Sequence, residues 1–184
     1  MLKKHAMELI MGCLLLLCFY CLSREAAAVS ARMSQKKVIV VDCGHGGIDP
    51  GMIGIDGLKE KEFNLAIGMK LKKALEDYGY QVVMTRETDT GLYDEDSQNK
   101  KAQDMQKRIL LIQKVDPVLT VSIHQNSYED PAVKGPQVFY YRDSAQGEAL
   151  AKKIQEKLNE NLEVERPREI KGNTTYYLLK RSPG

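Results

Sequence analysis

Residues 37–47 read KVIVVDCGHGG, and this segment carries the clearest information about the fold. The β-branched run from Lys37 to Asp42 is typical of a strand that is buried on both faces, as the strands of parallel sheets are. A glycine-rich loop follows at once, from Cys43 to Gly57. We therefore predict a buried strand that is followed by a loop with an unusual backbone conformation.

Strands and helices alternate along the residues that follow. Apolar residues at spacings of three and four predict helices over Glu60–Tyr78, Lys101–Val115 and Ala145–Leu162. Runs rich in β-branched and aromatic residues predict strands over Tyr80–Thr85, Val118–Ile123, Pro136–Tyr141 and Tyr176–Leu179. This alternation predicts an α/β fold with a mostly parallel, twisted sheet that is flanked by helices on both faces.

The N-terminal residues differ in character from the rest of the chain. Lys3 and Lys4 precede an apolar run from Leu9 to Leu22, and three alanines follow at 26–28. A basic start, an apolar run and small residues, in this order, are typical of a secretory signal. The run is shorter than the roughly 20 residues that cross a bilayer, although its flanks would allow an uncleaved anchor. A buried core helix is the alternative, and the lack of an amphipathic period disfavours it.

These features predict a division of the chain into two parts. Residues 1–33 are predicted to be a signal peptide or membrane anchor, and residues 34–184 a single folded domain. The chain has 184 residues, a length that suits one domain. The folded part is therefore predicted to work outside the cytoplasm, either secreted or held at the membrane through its N-terminal segment.

The composition of the chain excludes some classes of binding partner and some kinds of cysteine site. The chain has 27 Lys and Arg against 25 Asp and Glu, and the basic excess lies before residue 34. A neutral domain lacks the concentrated positive field that nucleic-acid binding requires. Of the four cysteines, Cys43 alone lies in the predicted domain, which excludes both a disulfide framework and a cysteine-based zinc site.

His45 and His124 are the two histidines of the predicted domain, and each comes directly after a predicted strand. The carboxyl ends of parallel strands meet at one edge of a sheet, so the two imidazoles can converge there. Two imidazoles and a carboxylate make an open zinc site. Glu60 and Glu62, at the start of the first predicted helix, are the candidate carboxylates.

Two alternatives to a zinc site stay open on spacing alone. A histidine at a strand end is more often a hydrogen-bonding loop residue than a metal ligand. A glycine-rich turn after a first strand can also bind phosphate, but residues 42–47 (DCGHGG) fit neither of the two common phosphate-binding motifs.

Three motifs in order resemble those of a known family. Residues 41–54 read VDCGHGGIDPGMIG, residues 57–68 read GLKEKEFNLAIG, and residues 122–127 read SIHQNS. They resemble D-x-G-H-G-G-x-D-x-G, G-x-x-E-K-[DE] and S-x-H-x-N of the zinc-dependent N-acetylmuramoyl-L-alanine amidases (the amidase-3 family). The resemblance runs from Val38 to the end of the chain. The short length, the N-terminal segment and the sequence TTYYLLKRSPG at 174–184 look most like the germination-specific, spore-cortex subgroup.

The resemblance implies a role for each matching residue. His45, Glu60 and His124 occupy the positions of the zinc ligands of the family, and the motif selects Glu60 over Glu62. Asn126 matches the Asn of the third motif and would support His124 or contact substrate. The resemblance gives Arg108 no role that can be assigned.

The resemblance also implies an activity and its partners. Family members hydrolyse the amide bond between N-acetylmuramic acid and the L-alanine of the stem peptide in peptidoglycan, and in the spore subgroup this matures the cortex. Zn²⁺ is the implied cofactor, peptidoglycan the implied substrate, and an accessory lipoprotein a possible partner. Asp49 is interpreted as a turn residue of the glycine-rich loop.

One element of the family pattern is absent from the printed sequence. The general-base Glu of the family lies on a strand that we expect beyond Gly184, so the domain is expected to lack its C-terminal part. Two alternatives to an amidase function stay open. One is a truncated, non-catalytic zinc-binding module of the cell wall, and the other is a different zinc hydrolase.

Overall fold

A computed structural model describes residues 2–34, 37–130, 132–162 and 164–182. The chain forms two compact units, Met1–Lys36 and Lys37–Gly184. Met1 and Gly184, the outer bounds of the two predicted parts, lie outside the described residues. So does the segment in which the general-base Glu is expected.

The first unit is a single long helix, α1 (Leu2–Ser34). The apolar side chains from Ile10 to Leu22 are exposed along it. Among the residues that the structure describes, no helix combines the length and the hydropathy needed to cross a membrane. The assignment of this segment as a signal or anchor stays a prediction.

A three-stranded parallel sheet forms the centre of the second unit. It consists of β1 (Val38–Cys43), β2 (Gln81–Met84) and β3 (Leu119–Ile123), in the order β2-β1-β3. The predicted buried strand is thus the central one, and it is paired on both edges. The register places Cys43 beside Ile123, so the residues that follow β1 and β3 leave the sheet side by side.

The helices α2 (Glu60–Asp77) and α3 (Lys100–Val115) cover the sheet on opposite faces. Alternate residues of β1, Ile39, Val41 and Cys43, pack against leucines of α2 at positions 65, 71 and 75. The intervening residue Asp42 points to the other face, where it contacts Arg108 of α3. This arrangement confirms the α/β fold that the alternation predicts.

A second, smaller sheet lies later in the chain. It pairs β4 (Phe139–Tyr141) with β5 (Lys171–Asn173) in parallel, and α4 (Ala145–Asn161) connects the two strands. The side chain of Ser144 caps α4 by accepting a hydrogen bond from the Gly147 amide at 2.9 Å. Among the described residues, β4 pairs with β5 and does not extend the three-stranded sheet.

The predicted strand at Tyr176–Leu179 is wrong. The structure has a short helix there, α5 (Tyr177–Arg181), and the strand β5 lies just before it. The side-chain oxygen of Asn173 accepts hydrogen bonds from the amides of Thr175 and Tyr176 at 2.8 and 2.7 Å. This turn reverses the chain directly after β5, so the aromatic and apolar residues that follow begin a helix instead of a strand.

Candidate metal centre

His45 lies two residues beyond β1, in a backbone conformation that few residues other than glycine adopt. Its φ is 64°, in the left-handed region. The Gly44 amide donates a hydrogen bond to the carbonyl of Ile123 at 3.1 Å, which keeps the loop against β3. The imidazole is then directed toward the start of α2, with Nε2 at 3.2 Å from Oε2 of Glu60.

Glu60 is the first residue of α2, and its side chain is buried, with a relative exposure of 5% for the whole residue. The amides of Met52 and Gln125 each donate to one of its carboxylate oxygens at 2.9 Å, and the Asn64 amide group donates at 3.2 Å. Burial raises the pKa of Glu60, but these hydrogen bonds outweigh it and leave the pKa below its ordinary value. Glu60 is therefore a fixed, ionised carboxylate at neutral pH.

His124 comes directly after β3 and completes the cluster. Its Nδ1 lies 3.0 Å from Oε1 of Glu60, and its ring meets the His45 ring edge-on, with the centroids 4.9 Å apart. The side chain of His124 is 41% exposed, so the cluster opens to solvent on this side.

The three residues fit a divalent metal. One ligand atom from each of His45, Glu60 and His124 lies within 4.8 Å of the others. Two imidazole nitrogens and one carboxylate oxygen are a donor set typical of zinc sites with an open position. Glu62, the other candidate carboxylate, is exposed and outside the cluster. Cys43 is fully buried in the sheet on the α2 side and is not part of it.

Two glycines of the loop leave room for these side chains. A Cβ atom on Gly44 would lie 2.4 Å from Cε1 of His124. A Cβ atom on Gly51 would lie 2.7 Å from both Glu60 and His45, and the φ of Gly51 is +69°. The loop therefore approaches the cluster more closely than any residue with a side chain would allow.

The part of the chain that resembles known proteins includes the residues of the cluster. Residues 39–183 match the family model Amidase_3, described as N-acetylmuramoyl-L-alanine amidase. The chain belongs to this amidase family. The family resemblance drawn from the three motifs is thereby confirmed, and the matched residues include the whole His45–Glu60–His124 cluster.

Two curated relatives are 35% or more identical to this chain over the matched residues. The germination-specific N-acetylmuramoyl-L-alanine amidase of Bacillus subtilis strain 168 is 39% identical over 130 residues, which cover 69% of this chain and 54% of the relative. The N-acetylmuramoyl-L-alanine amidase AmiA of Escherichia coli K12 is 35% identical over 131 residues, which cover 70% of this chain and 41% of the relative. The chain thus spans about half the length of the curated relatives it matches.

Solved structures share the fold of this chain. The CwlD amidase of Clostridioides difficile, solved in complex with the GerS lipoprotein, superposes with a TM-score of 0.76 at 38% identity and covers 80% of this chain and 77% of that one. The amidase AmiC2 of Nostoc punctiforme gives a TM-score of 0.68 at 34% identity, with coverage of 82% and 76%.

Arg108, which the motifs left without a role, supports the loop from beneath. Its side chain is buried and donates to Asp42 at 2.7 Å, to Asp104 at 2.6 Å and to the backbone carbonyl of His45 at 2.7 Å. Burial raises the pKa of Asp42, but the neighbouring Arg108 charge and hydrogen bonds from Ser122 and Thr85 keep it below the ordinary value. The guanidinium thereby stabilises the left-handed conformation of the loop at His45.

Arg86 is a second buried cation at the loop, and no motif in the sequence indicated it. Its guanidinium donates to the carbonyls of Cys43, Gly44 and Lys61 at 2.9, 3.1 and 2.7 Å. These bonds join the end of β1 to the first turn of α2. Because each target is a backbone carbonyl far away in the sequence, no residue pattern could have predicted them.

Asp49 is a further residue whose importance the sequence did not predict. It lies in the turn expected for it, closed by an antiparallel bridge between Gly46 and Asp49. Its Oδ2 also lies 2.8 Å from Nδ1 of His45, and its Oδ1 lies 2.8 Å from Nζ of Lys101. Burial raises the pKa of Asp49, but hydrogen bonds from His45 and Lys101 outweigh it and lower the pKa to about 2.

Asn126 lies in the exposed loop after His124, and its side chain makes no hydrogen bond with any of the described residues. Its neighbour Gln125 contacts the cluster instead, through the backbone bond to Glu60 and a side-chain bond to Asn64 at 3.2 Å. A role for Asn126 in supporting His124 or in contacting substrate stays a prediction.

Proposed function

We propose that this protein is a zinc-dependent amidase that hydrolyses the bond between N-acetylmuramic acid and the L-alanine of the stem peptide in peptidoglycan. The observation that carries the proposal is the His45–Glu60–His124 cluster, which lies within the residues matched by the family model. The similarity to the germination-specific amidase of Bacillus subtilis supports the cortex of the spore as the substrate layer.

His45, Glu60 and His124 would hold the zinc ion. Zinc at this position would act as a Lewis acid toward the scissile carbonyl and would increase the acidity of a water molecule. Glu60 would contribute a negative charge, since its hydrogen bonds keep it ionised. The exposed side of His124 would admit the substrate, which is a polymer and needs an open site.

A general base completes the proposed reaction. Within the described part of the chain, Asp49 and Glu60 are the carboxylates in contact with the two histidines. Both already accept several hydrogen bonds, which lowers their basicity. We therefore propose that neither of them acts as the general base; removing such a base typically costs about 10²–10⁴ in rate.

The proposed activity is tested with purified spore-cortex peptidoglycan and the full chain in detergent, with added zinc. We expect release of the free amine of L-alanine, without release of acetate or of new reducing sugar ends. A His124→Ala variant should lose zinc and this release together. Acetate release would support a deacetylase instead, and zinc binding without any release would support the non-catalytic wall-binding module.

We also propose that residues 1–33 direct the domain out of the cytoplasm. The order of Lys3 and Lys4, the apolar run and the alanines supports this assignment. When residues 1–36 are fused to a reporter enzyme that is active only outside the cytoplasm, the fusion should show the activity of the reporter. Replacing Leu15 and Leu16 by aspartate should abolish it.

An accessory lipoprotein is proposed as a partner. The support comes from the CwlD amidase of Clostridioides difficile, which was solved in complex with the GerS lipoprotein. A lipoprotein from the same organism as this chain should co-elute with it and raise its zinc occupancy or its rate of release. The absence of any co-elution at micromolar concentrations would refute this part of the proposal.

A further inference from the structure

Asp49 differs from the other carboxylates of the loop region because both of its oxygens are engaged near the cluster. Its Oδ2 lies 2.8 Å from Nδ1 of His45. Its Oδ1 lies 2.8 Å from Nζ of Lys101 and accepts a hydrogen bond from the Gly51 amide at 3.4 Å. The side chain is about a quarter exposed, so the contacts are partly shielded from water.

The turn that carries Asp49 fixes its position. The amides and carbonyls of Gly46 and Asp49 exchange two hydrogen bonds of 3.0 and 3.1 Å. These bonds close the chain directly after the left-handed residue His45 and place the Asp49 side chain against the ring from four residues away. The carboxylate and the imidazole are therefore held together by the backbone, and not by a flexible side chain.

This contact has a consequence for the protonation of the ring. An ionised carboxylate can only accept a hydrogen bond, so the contact requires a proton on Nδ1 of His45. A neutral imidazole that carries its proton on Nδ1 has its lone pair on Nε2. Nε2 is the nitrogen that faces Glu60, at 3.2 Å from Oε2.

Lys101 provides the opposite charge for Asp49. It lies in the first turn of α3, and its side chain is largely exposed. By contrast, Asp89, another aspartate near this loop, contacts Lys61 and the amide of Gly47 and does not contact His45. Of these two aspartates, Asp49 is thus the one that contacts both Lys101 and the ring of His45.

We propose that Asp49 is the positioning residue of His45: it fixes the ring with the proton on Nδ1 and directs Nε2 toward the metal, while Lys101 holds the carboxylate in place. The inference rests on the proposed function, because it requires a metal held by His45, Glu60 and His124. Carboxylates that orient a metal-binding histidine in this way typically contribute about 10- to 100-fold to metal affinity.

The first test measures the zinc dissociation constant of the full chain in detergent, by competition with a chromophoric chelator at neutral pH. We expect Asp49→Ala to weaken zinc binding by about 10- to 100-fold. Asp49→Asn keeps an oxygen acceptor for the Nδ1 proton but loses the charge, so its loss should be smaller. Lys101→Ala removes an exposed ion pair and should cost a few-fold at most.

Glu62→Ala is the matched control. Glu62 is an exposed carboxylate two residues from Glu60 that contacts no described cation, so the variant removes a negative charge close to the cluster without touching His45. Its zinc affinity should equal that of the wild type. A loss as large as that of Asp49→Ala would show a general charge effect and would overturn the inference.

The second test reads the hydrogen bond between the His45 ring and Asp49 directly, by proton and nitrogen-15 NMR of the histidine-labelled, zinc-loaded protein. In the wild type, the Nδ1 proton of His45 should resonate far downfield and exchange slowly with water, because Asp49 accepts its hydrogen bond. In Asp49→Ala this resonance should shift upfield or be lost to exchange, whereas a merely structural role of Asp49 would leave it unchanged. Weaker zinc binding with an unchanged Nδ1 resonance would therefore overturn the inference.

The outcomes separate this inference from the proposed function. A wild-type chain that binds no zinc contradicts both. A wild-type chain that binds zinc, together with Asp49 variants of unchanged affinity, contradicts the inference alone. If Asp49→Ala fails to fold, Asp49→Asn carries the same comparison, and its zinc affinity should lie below that of the wild type.

Discussion

At the residue scale, the absence of side chains matters as much as their presence. Gly44 lies against the His124 ring, and Gly51 lies against both Glu60 and His45. The distances available to a Cβ atom there, 2.4 to 2.7 Å, are shorter than any normal contact between non-bonded atoms. The glycines of the first motif are therefore explained by the space that the candidate ligands occupy.

A substitution at Gly44 tests this explanation. In Gly44→Ala the new methyl group must displace the His124 ring, because it would otherwise lie 2.4 Å from Cε1. We expect overpacking to destabilise the domain by about 1–3 kcal/mol. The displaced ring should also weaken zinc binding by about tenfold or more. Urea unfolding and zinc competition measure the two effects.

Gly54→Ala is the control in the same loop. A Cβ atom at Gly54 has no neighbour closer than 3.7 Å, and the φ of this residue is −85°, which any residue can adopt. Zinc affinity should stay unchanged and stability should change by less than about 0.5 kcal/mol. Equal losses in the two variants would contradict the steric explanation.

At the element scale, α3 supports the candidate site through its buried face. Ile112 is fully buried on that face, and Arg108, one turn earlier, contacts the end of β1 and the carbonyl of His45. The side chain of Asn99 caps the helix by accepting a hydrogen bond from the Ala102 amide at 3.1 Å. The helix is therefore fixed at its start by a cap and along its length by packing.

Truncation of Ile112 should measure how much this packing contributes. Ile112→Ala removes buried methyl groups and leaves a cavity, so we expect a loss of about 2–5 kcal/mol in the free energy of unfolding. Leu110→Ala, on the exposed face of the same helix, should change it by less than about 0.5 kcal/mol. Equal losses in urea denaturation would mean that α3 is not packed as described.

At the scale of the whole molecule, one buried charge network joins most elements of the main sheet. Asp42 of β1 accepts hydrogen bonds from Arg108 of α3, from Ser122 of β3 and from Thr85, which follows β2. Asp42 is ionised and its pKa is lowered, because the Arg108 charge and these donors outweigh the effect of burial. The folded domain therefore holds this carboxylate more firmly in its charged form than the unfolded chain does.

The lowered pKa predicts a direction for the pH dependence of stability. A carboxyl whose pKa is lower in the folded state stabilises the fold fully above its unfolded pKa, about 4 for Asp. This contribution is lost as the pH falls through the folded pKa. We expect the free energy of unfolding, measured with a chelator present, to decrease as the pH falls below about 5.

Asp42→Asn should isolate the contribution of Asp42 to the pH dependence of the free energy of unfolding. Removing one partner of a buried ion pair typically costs about 3–5 kcal/mol. This cost should be largest at neutral pH and should shrink in acid, because Asp42 of the wild type is then protonated as well. A cost that is the same at all pH values would contradict the assigned charge of Asp42.

Patterns in the sequence predicted the strands of the main sheet, the helices α2, α3 and α4, and the position of both histidines at strand ends. These features follow from side-chain periodicity and from the backbone freedom of glycine, which act between residues close along the chain. The predictions failed where a tertiary contact or a local turn outweighed periodicity. Asn173 turned a predicted strand into α5, and β4 paired with β5 away from the main sheet.

Several contacts between residues far apart in the chain were visible in the tertiary structure alone. The partner of Arg108 in the core, Asp42, lies 66 residues away. The contact of Asp49 with His45 depends on a left-handed residue and a closed turn, and that of Lys101 on where α3 begins. Such contacts are fixed by the packing of whole elements, so no local pattern in the sequence encodes them.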